Sequence, residues 1–369
     1  MSVIKLARAG LFALLLSLTG AGCWDISPIE DRALALMLGL DRVGDGYRVS
    51  IQVPTISNFI QTNNGGVQRD QHAFQAFVEQ GASLAGIFQR LEDENYRILI
   101  AGSVKVIIVS RSLAEQGLSR LLASFLRQPM ISPQTLLLLA IQSPEEVLRW
   151  QPGFKMQPAL IIGKQLRAPL KRSFSYPMEL WEFVARVDNR APDPYLPLIR
   201  INRANGSYLL EGLALFRDDK LVGFLSPEEA YLFGILSGKA RKAIIQFAAG
   251  QDSVTLHNVY HRTRLDVVRS NHRNILRMRI AVKGSILDLP PSMETDRPEN
   301  LEYLKEEAQR QLTARIGGLI KKFQTLGVDP VGFGNQLIIA GVPEWRETFR
   351  QIPFRIQTTI DYRYTPPAR

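Results

Sequence analysis

A single cysteine, placed directly after a short apolar leader, most constrains how this chain can fold. Cys23 is the only cysteine in 369 residues, so no disulfide can form within the chain and hydrophobic cores must hold the fold together. Residues 1–22 contain two basic and no acidic side chains, and they include an apolar run from Ala9 to Leu18. A positive start, a short apolar stretch and small residues before the cut are typical of a secretory signal peptide.

The cysteine has two interpretations. In the first, its sulfur carries diacylglycerol and the leader is cut before Cys23, so that acyl chains hold the mature chain on the outer face of a membrane. In the second, an ordinary signal peptide leaves an incidental thiol. The usual lipidation motif has Leu three residues before the cysteine, where this chain has Gly20. We favour the first interpretation and predict Cys23 as the lipidation site, with two or three acyl chains for stable anchoring.

Hydropathy and charge argue against a membrane-spanning protein and against a nucleic-acid-binding protein. The leader's apolar run is shorter than the ~20 residues that span a bilayer, and no later run is longer. The formal net charge is +10, but the basic residues are scattered among 35 acidic ones without a block of five or six Lys or Arg. We therefore predict no nucleic-acid binding. In an anchored chain, the basic surplus would add a modest attraction to anionic lipid headgroups; a solvated surface without an electrostatic role is the alternative.

Apolar periodicity predicts both strands and helices. Tyr47 to Val53 alternates as a half-buried strand does, after a hairpin turn at Gly44-Asp45-Gly46. A helix is expected from about Ser83 and another between Met178 and Val187. Further strands are predicted at 103–110, 212–216, 221–225, 276–282 and 354–362. The clearest helix extends from about Asn300 to Leu326, where Gly327 ends it. Strands on both sides of this helix predict an α+β, multi-domain fold with packed helices and mixed, mostly antiparallel sheets.

Proline distribution suggests the domain organisation. Seven prolines interrupt residues 151–198, and Ala191-Pro192-Asp193-Pro194 resembles a stiff linker. We predict a signal peptide at 1–22, an N-terminal region at 23–200 and a C-terminal α+β domain at 201–369. The N-terminal region is expected to contain two lobes, 23–150 and 151–200, if the proline-rich part folds separately.

Three helix starts share a Ser followed three residues later by Glu, at Ser112, Ser143 and Ser226. The Ser hydroxyl accepts a free helical N–H and the Glu carboxylate reaches back to the Ser N–H. These glutamates are therefore interpreted as helix caps, and not as catalytic carboxylates.

No catalytic constellation emerges from the sequence. His257 and His261 are four residues apart, but no Glu follows His257 and the intervening residues look strand-like, so a zinc site is not predicted. The segment Gly234–Ala240 superficially resembles a phosphate-binding loop, yet its spacing is one residue short and Ala240 has no hydroxyl for magnesium. We interpret it as a helix that ends at a glycine. The sequence thus predicts no catalytic residue, no metal site and no cofactor.

Short motifs along most of the chain form an ordered series. They begin at Cys23-Trp24-Asp25, and continue through Gly39-Leu40-Asp41, Gly81-Ala82-Ser83-Leu84, Arg127, Gly212-Leu213-Ala214-Leu215-Phe216, Lys220–Leu225, Glu229, Lys321-Lys322-Phe323-Gln324, Asp329, Gly332-Phe333-Gly334 and Trp345. In identity and order these motifs resemble the Ger(x)C family of spore germination lipoproteins.

The resemblance implies a non-enzymatic C subunit of a nutrient germinant receptor. Such a subunit would sit on the outer leaflet of the spore inner membrane, beside an integral-membrane A subunit and a transporter-like B subunit. Only Cys23 carries over as a functional residue, as the lipid site, and binding of a small molecule is left open. Two alternatives remain: a substrate-binding lipoprotein of a transporter, and an extracytoplasmic hydrolase suggested only by export and the His257/His261 pair.

Overall fold

The computed structural model describes residues 32–55, 74–94, 98–127, 131–153, 156–167, 174–189, 191–240, 243–249, 252–270, 273–288 and 298–364. The predicted signal peptide and Cys23 lie outside these residues. Within them, no helix combines the length and the apolar character that crossing a bilayer requires.

The strands are β1 (Arg32–Leu34), β2 (Met37–Val43), β3 (Gly46–Pro54), β4 (Phe74–Gly81), β5 (Ile98–Ile100), β6 (Val106–Val109), β7 (Leu136–Ala140), β8 (Tyr195–Asn202), β9 (Ser207–Arg217), β10 (Lys220–Leu225), β11 (Ala243–Ala249), β12 (Asp252–Ser270), β13 (Arg273–Asp288) and β14 (Phe354–Tyr364). The α-helices are α1 (Leu84–Glu94), α2 (Arg111–Gln116), α3 (Ser119–Arg127), α4 (Pro144–Arg149), α5 (Pro158–Arg167), α6 (Leu180–Asn189), α7 (Pro227–Leu236), α8 (Pro298–Leu326), α9 (Phe333–Ile339) and α10 (Trp345–Gln351).

An eight-stranded sheet organises the first part of the chain, in the order β10-β9-β8-β7-β6-β2-β3-β4. Its four central strands, β8, β7, β6 and β2, are parallel, and the strands toward both edges are antiparallel. All residues of β6 and β7 are buried. Both strands are continuously apolar because each face of the sheet's centre is covered by helices, as is usual for parallel strands.

A second sheet, with the order β11-β12-β13-β14, organises the later part. The strands β11, β12 and β13 are antiparallel, whereas β13 and β14 are parallel. The helix α8 packs on one face of this sheet through Leu304, Leu312 and Ile316, each fully buried. The helix α7 contacts α8, β9 and β12, and so connects the two sheets. One hydrophobic core includes residues from both sheets.

These elements confirm the predicted α+β class with mixed sheets and packed helices. The long helix, the helices expected near Ser83 and Met178, and the alternating strands are where the sequence predicts them. Gly327 follows α8 with a φ of 66°, in the left-handed region that suits a glycine at a helix end. The parallel pairs at the centre of the large sheet and between β13 and β14 were not predicted.

Three local predictions were wrong. The strand over residues 47–53 is not half-buried, because α4 packs on its other face and buries Ser50 and Gln52 as well. The helix α2 is capped by Ser110, whose hydroxyl accepts the Leu113 N–H at 3.2 Å; Ser112 lies inside the helix and bonds Asp41 instead. The strand predicted at 103–110 is only Val106–Val109, because a 3₁₀ turn occupies Ala101–Ser103. At Ser226 the predicted capping box with Glu229 is confirmed in full. At Ser143 only half of it is confirmed: the Ser hydroxyl accepts the Glu146 N–H, but the Glu146 carboxylate pairs with Arg203.

The boundary predicted near residue 200 stays a prediction. It falls within β8, and the antiparallel strands β9 and β10 that follow complete the eight-stranded sheet. Residues up to Leu225 therefore share a sheet with the N-terminal region.

Candidate functional site

The two histidines that motivated a metal hypothesis both lie on β12, at positions that pair with Ser285 and Val282 of β13. A β-bulge between His257 and Tyr260 interrupts the alternation between them. His261 is half-buried, and burial lowers the pKa of its ring. No group of three or more His, Cys, Asp or Glu side chains in the described part of the chain is arranged to hold a metal ion.

The segment Gly234–Ala240 ends the helix α7, as the sequence predicts. Gly238 has a φ of 72°, and the N–H groups of Lys239 and Ala240 both donate to the Gly234 carbonyl, at 2.9 and 3.0 Å. Because these N–H groups are used within the turn, they are not available to hold a phosphate. Lys239 instead lies over the Tyr195 ring, with its ammonium 5.4 Å from the ring centroid.

The most distinctive polar arrangement is a carboxylate cluster formed by Asp193, Asp218, Asp329 and Arg346. Asp329 follows the end of α8 and is completely buried. Its Oδ1 accepts the N–H groups of Val331 and Gly332 at 3.2 and 2.8 Å, and its Oδ2 accepts that of Gly334 at 2.6 Å. Gly332 has a φ of 104°, which only a glycine adopts readily, and this bend directs the N–H groups toward the carboxylate.

Asp193 joins this turn to a distant part of the chain. Its N–H donates to the Asp329 carbonyl at 2.8 Å, and its Oδ2 accepts the Asp329 N–H at 2.7 Å. Arg346, on α10, donates from Nη2 to Asp193 Oδ1 at 2.7 Å and to Asp218 Oδ1 at 3.2 Å. The cluster thus connects the segment before β8, the β9–β10 turn, the end of α8 and α10.

Aromatic side chains pack beside the turn that Asp329 holds and beside Arg346. The rings of Phe333 and Phe349 are stacked with centroids 5.6 Å apart. The Trp345 ring lies so close to Gly334 that a Cβ there would be 2.6 Å from it, and the Arg346 guanidinium is 4.7 Å from the Trp345 ring centroid. Asp193 and Asp329 are buried away from water, which makes their hydrogen bonds strong and their loss costly, whereas Asp218 at the edge of the cluster is exposed.

Burial also changes the protonation of the two inner carboxyls. It raises the pKa of Asp329 to about 6, although the N–H donors act in the opposite direction. Burial likewise raises the pKa of Asp193, while the hydrogen bond from Arg346 lowers it. The Asp329 carboxyl therefore holds a proton more tightly in the folded than in the unfolded chain.

This difference predicts a pH-dependent stability. The contribution of Asp329 is complete below its ordinary pKa of 3.8 and is lost as the pH rises through its folded pKa of about 6. We expect the free energy of unfolding of the parent, relative to an Asp329→Asn variant that cannot titrate there, to fall by about 2–3 kcal/mol between pH 4 and pH 7. Urea unfolding of both proteins across this range measures the difference. A difference that stays constant, or grows with pH, would contradict the assignment.

The cluster was only partly foreseen from the sequence. Asp329, Gly332-Phe333-Gly334 and Trp345 carry part of the family resemblance, but Asp193 was interpreted as linker and Arg346 was not singled out. The pattern Asp-x-x-Gly-x-Gly after a helix end is the local signal that could have predicted an Asp-capped turn. All the carboxylates of the cluster are engaged in holding the fold together.

Comparison with known proteins places this architecture in a family. Residues 25–201 match the spore germination protein N-terminal domain, and residues 211–365 match the spore germination B3/GerAC-like C-terminal domain. The chain belongs to the Ger(x)C family of spore germination proteins. This membership confirms the resemblance and gives the chain a role related to germination.

The relatives of this Ger(x)C protein match over most of their length. Spore germination protein GerQC of Bacillus cereus is 22% identical, with 95% of this chain and 96% of the relative covered. The putative spore germination protein YfkR of Bacillus subtilis is 21% identical, with 93% and 92% covered. The crystal structure of the GerBC protein has the same fold, with a TM-score of 0.57 at 16% identity over 88% of this chain and 96% of that one.

Proposed function

We propose that this Ger(x)C protein is a lipid-anchored, non-enzymatic subunit of a spore nutrient germinant receptor, where it acts in assembly or signalling. One observation carries the proposal: the chain matches germination proteins over nearly their whole length, including 96% of GerQC. The short apolar leader followed by a lone Cys23 supports the anchor.

The proposed anchor is Cys23, acylated at its sulfur, with the leader removed. A spore membrane association fits the family, and we place the chain on the extracytoplasmic face of the spore inner membrane. The nine residues 23–31 can reach at most about 30 Å when extended. The folded part would therefore remain close to the lipid headgroups.

The proposed partners are the integral-membrane A and B subunits of the receptor. We infer that residues 23–200 and 201–369 act as two regions, with β9 and β10 joining the second region to the first region's sheet. The carboxylate cluster supports this arrangement, because Asp193 comes from the first region whereas Asp329 and Arg346 come from the second. A subunit that transmits a conformational change between partners needs its regions held rigidly together, and buried hydrogen bonds between the regions provide that rigidity.

The non-enzymatic role is supported by what the polar groups do. Asp193 and Asp329 accept backbone N–H groups, Glu229 caps the start of α7, and Glu146 at the start of α4 pairs with Arg203. A catalytic acid or base would need access to a reacting group.

Replacing Cys23 is expected to release the protein from the membrane. A Cys23→Ala chain lacks the sulfur to which diacylglycerol would attach, so it loses the acyl chains that make anchoring stable. We expect fractionated spores to contain the parent in the inner membrane, and the Cys23→Ala chain either in the soluble fraction or degraded. Retention of the variant in the membrane at the parent's level would contradict the anchor. Total chain in whole-spore immunoblots is the control for expression.

Affinity purification tests the partner assignment. A tagged chain solubilised from spore inner membranes should bring two integral-membrane proteins of the same receptor with it, and deletion of its gene should abolish the response to at least one nutrient germinant. Purification without any integral partner, together with unchanged germination for every nutrient, would contradict the proposal. A melting temperature that rises with amino acids or sugars would favour the substrate-binding alternative instead.

A further inference from the structure

The four-stranded sheet has one face covered by α8 and one open face, whose side chains are largely exposed in the part of the chain that the structure describes. On β13 the residues Leu276, Met278, Ile280 and Val282 point into the core and are at most 1% exposed. Side chains alternate along a strand, so the intervening residues point outward. Besides Arg273 at the β12–β13 turn, the register between strands places six cationic side chains on this outer face: Arg262 and Arg264 from β12, Arg277, Arg279 and Lys283 from β13, and Arg355 from β14.

Few carboxylates among the described residues neutralise the cationic face. Two carboxylates share it: Asp266 pairs with Arg277 and lies 3.9 Å from Arg279, and Asp361 lies 3.4 Å from Lys283. Arg262, Arg264 and Arg355 are exposed, and none has an ion-pair partner among the residues that the structure describes.

The strand register brings like charges together. Arg264 is directly opposite Arg279 across the β12–β13 pair, and Arg277 is in register with Arg355 across the β13–β14 pair. Like charges in such positions destabilise a sheet. The folded chain alone gains nothing from this arrangement, whereas an anionic partner would turn the repulsion into attraction.

The positive charge is concentrated on the open face. The helix α8 on the covered face is nearly balanced, with four Glu against five Lys or Arg. An uneven distribution of positive charge orients a protein with its more positive side toward an anionic surface.

The open face contains a shallow depression lined by arginines. A shallow depression of about 330 Å³ is lined by Arg262, Arg264 and Arg279 beside the small side chain of Ala281. Tyr260 is in register with Lys283 on the same face and is 62% exposed. Tyrosine is enriched where proteins contact lipid headgroups, because its ring is apolar and its hydroxyl is polar and stays hydrated.

We propose that this cationic face, formed by Arg262, Arg264, Arg277, Arg279, Lys283 and Arg355, lies against the anionic headgroups of the membrane that carries the protein. The inference deepens the proposed function, because the anchor would hold the face near a bilayer. The anchor supplies attachment, and the face sets the orientation in which the remaining surface meets its partners.

Vesicle binding without the anchor tests the inference separately from lipidation. The probe is the mature chain, residues 23–369 with Cys23→Ser, mixed with vesicles of phosphatidylglycerol and phosphatidylcholine in equal parts. We expect cosedimentation with these vesicles but not with pure phosphatidylcholine, and its loss at about 0.5 M salt, where charge is screened within a few ångströms. Replacing Arg262, Arg264 and Arg355 together by Gln should weaken binding at least about tenfold.

A matched variant controls for net charge. Arg120, Arg217 and Lys220 are exposed and lie outside the four-stranded sheet, so replacing all three by Gln removes the same charge and should leave binding within about twofold of the parent. The face variant should melt no lower than the parent, because its substitutions relieve Arg–Arg repulsion. Equal weakening by both variants, or no binding of the parent to phosphatidylglycerol, would overturn the inference. Undiminished vesicle binding by the face variant, with loss of the integral partners on purification, would assign the face to an acidic protein instead.

Discussion

Replacement of Asp329 by Ala is expected to cost about 3–5 kcal/mol of unfolding free energy, a large part of the stability of an ordinary domain. The N–H groups of Val331, Gly332 and Gly334 would lose their acceptor inside the protein, and each buried N–H without a partner costs about 1–3 kcal/mol. A completely buried cavity would also remain.

A graded series distinguishes hydrogen bonding from packing. Asp329→Asn keeps the shape and one acceptor oxygen but turns an amide NH₂ toward an N–H donor, so we expect an intermediate loss of about 2 kcal/mol. Asp188→Ala removes an exposed carboxylate on α6 and should change stability by no more than about 0.5 kcal/mol. Denaturant unfolding at neutral pH compares the three. An Asp329→Ala protein as stable as the Asp188→Ala control would show that the cluster does not hold the two regions together.

Replacement of Gly212 by Val is the second change with a large expected effect. Gly212 lies in β9 with a φ of 82°, a conformation that a β-branched residue does not tolerate. A Cβ at this position would lie 2.5 Å from the Leu225 carbonyl oxygen, which belongs to the backbone of β10 and cannot move aside as a side chain can. Backbone strain and overpacking together are expected to cost about 3–5 kcal/mol.

A helix glycine provides the matched control for Gly212→Val. Gly318 lies on the exposed side of α8, and no heavy atom is within 4 Å of the place its Cβ would occupy. Gly318→Ala should therefore stabilise the protein by about 0.5–1 kcal/mol, because alanine favours a helix more than glycine does. Thermal melts of both variants and the parent measure the two changes in melting temperature. If Gly212→Val melts as high as the parent, position 212 does not require a glycine, and the close approach to the Leu225 carbonyl does not exclude a side chain there.

The sequence predicts most elements whose periodicity is strong. The helix α8 and the alternation in β13 and β14 are visible because each has one face in the core and one in water. The strand β3 also alternates in sequence, although its polar Ser50 and Gln52 are buried too. The central strands β6 and β7 are apolar at every position, so they can be placed as strands, but their pattern contains no information about direction or neighbours. This is why the parallel centre of the large sheet was not predicted.

The carboxylate cluster shows a different limit. Asp193 and the N–H that it accepts are 136 residues apart in the chain, and no local pattern records such a pairing. In a similar way, Arg264 and Arg279 are unremarkable surface residues in the sequence, and only the strand register places them opposite each other. Local sequence patterns therefore predict helices, strands and their caps. Contacts between residues far apart in the chain depend on how these elements pack, which the local patterns do not record.

Mass spectrometry of the mature protein from spore inner membrane tests the central claim most directly. We predict a chain that begins at Cys23, without residues 1–22, and whose first residue carries the added mass of diacylglycerol and, where present, a further acyl chain. An unmodified Cys23 thiol, or a chain that still contains its leader, would contradict the account.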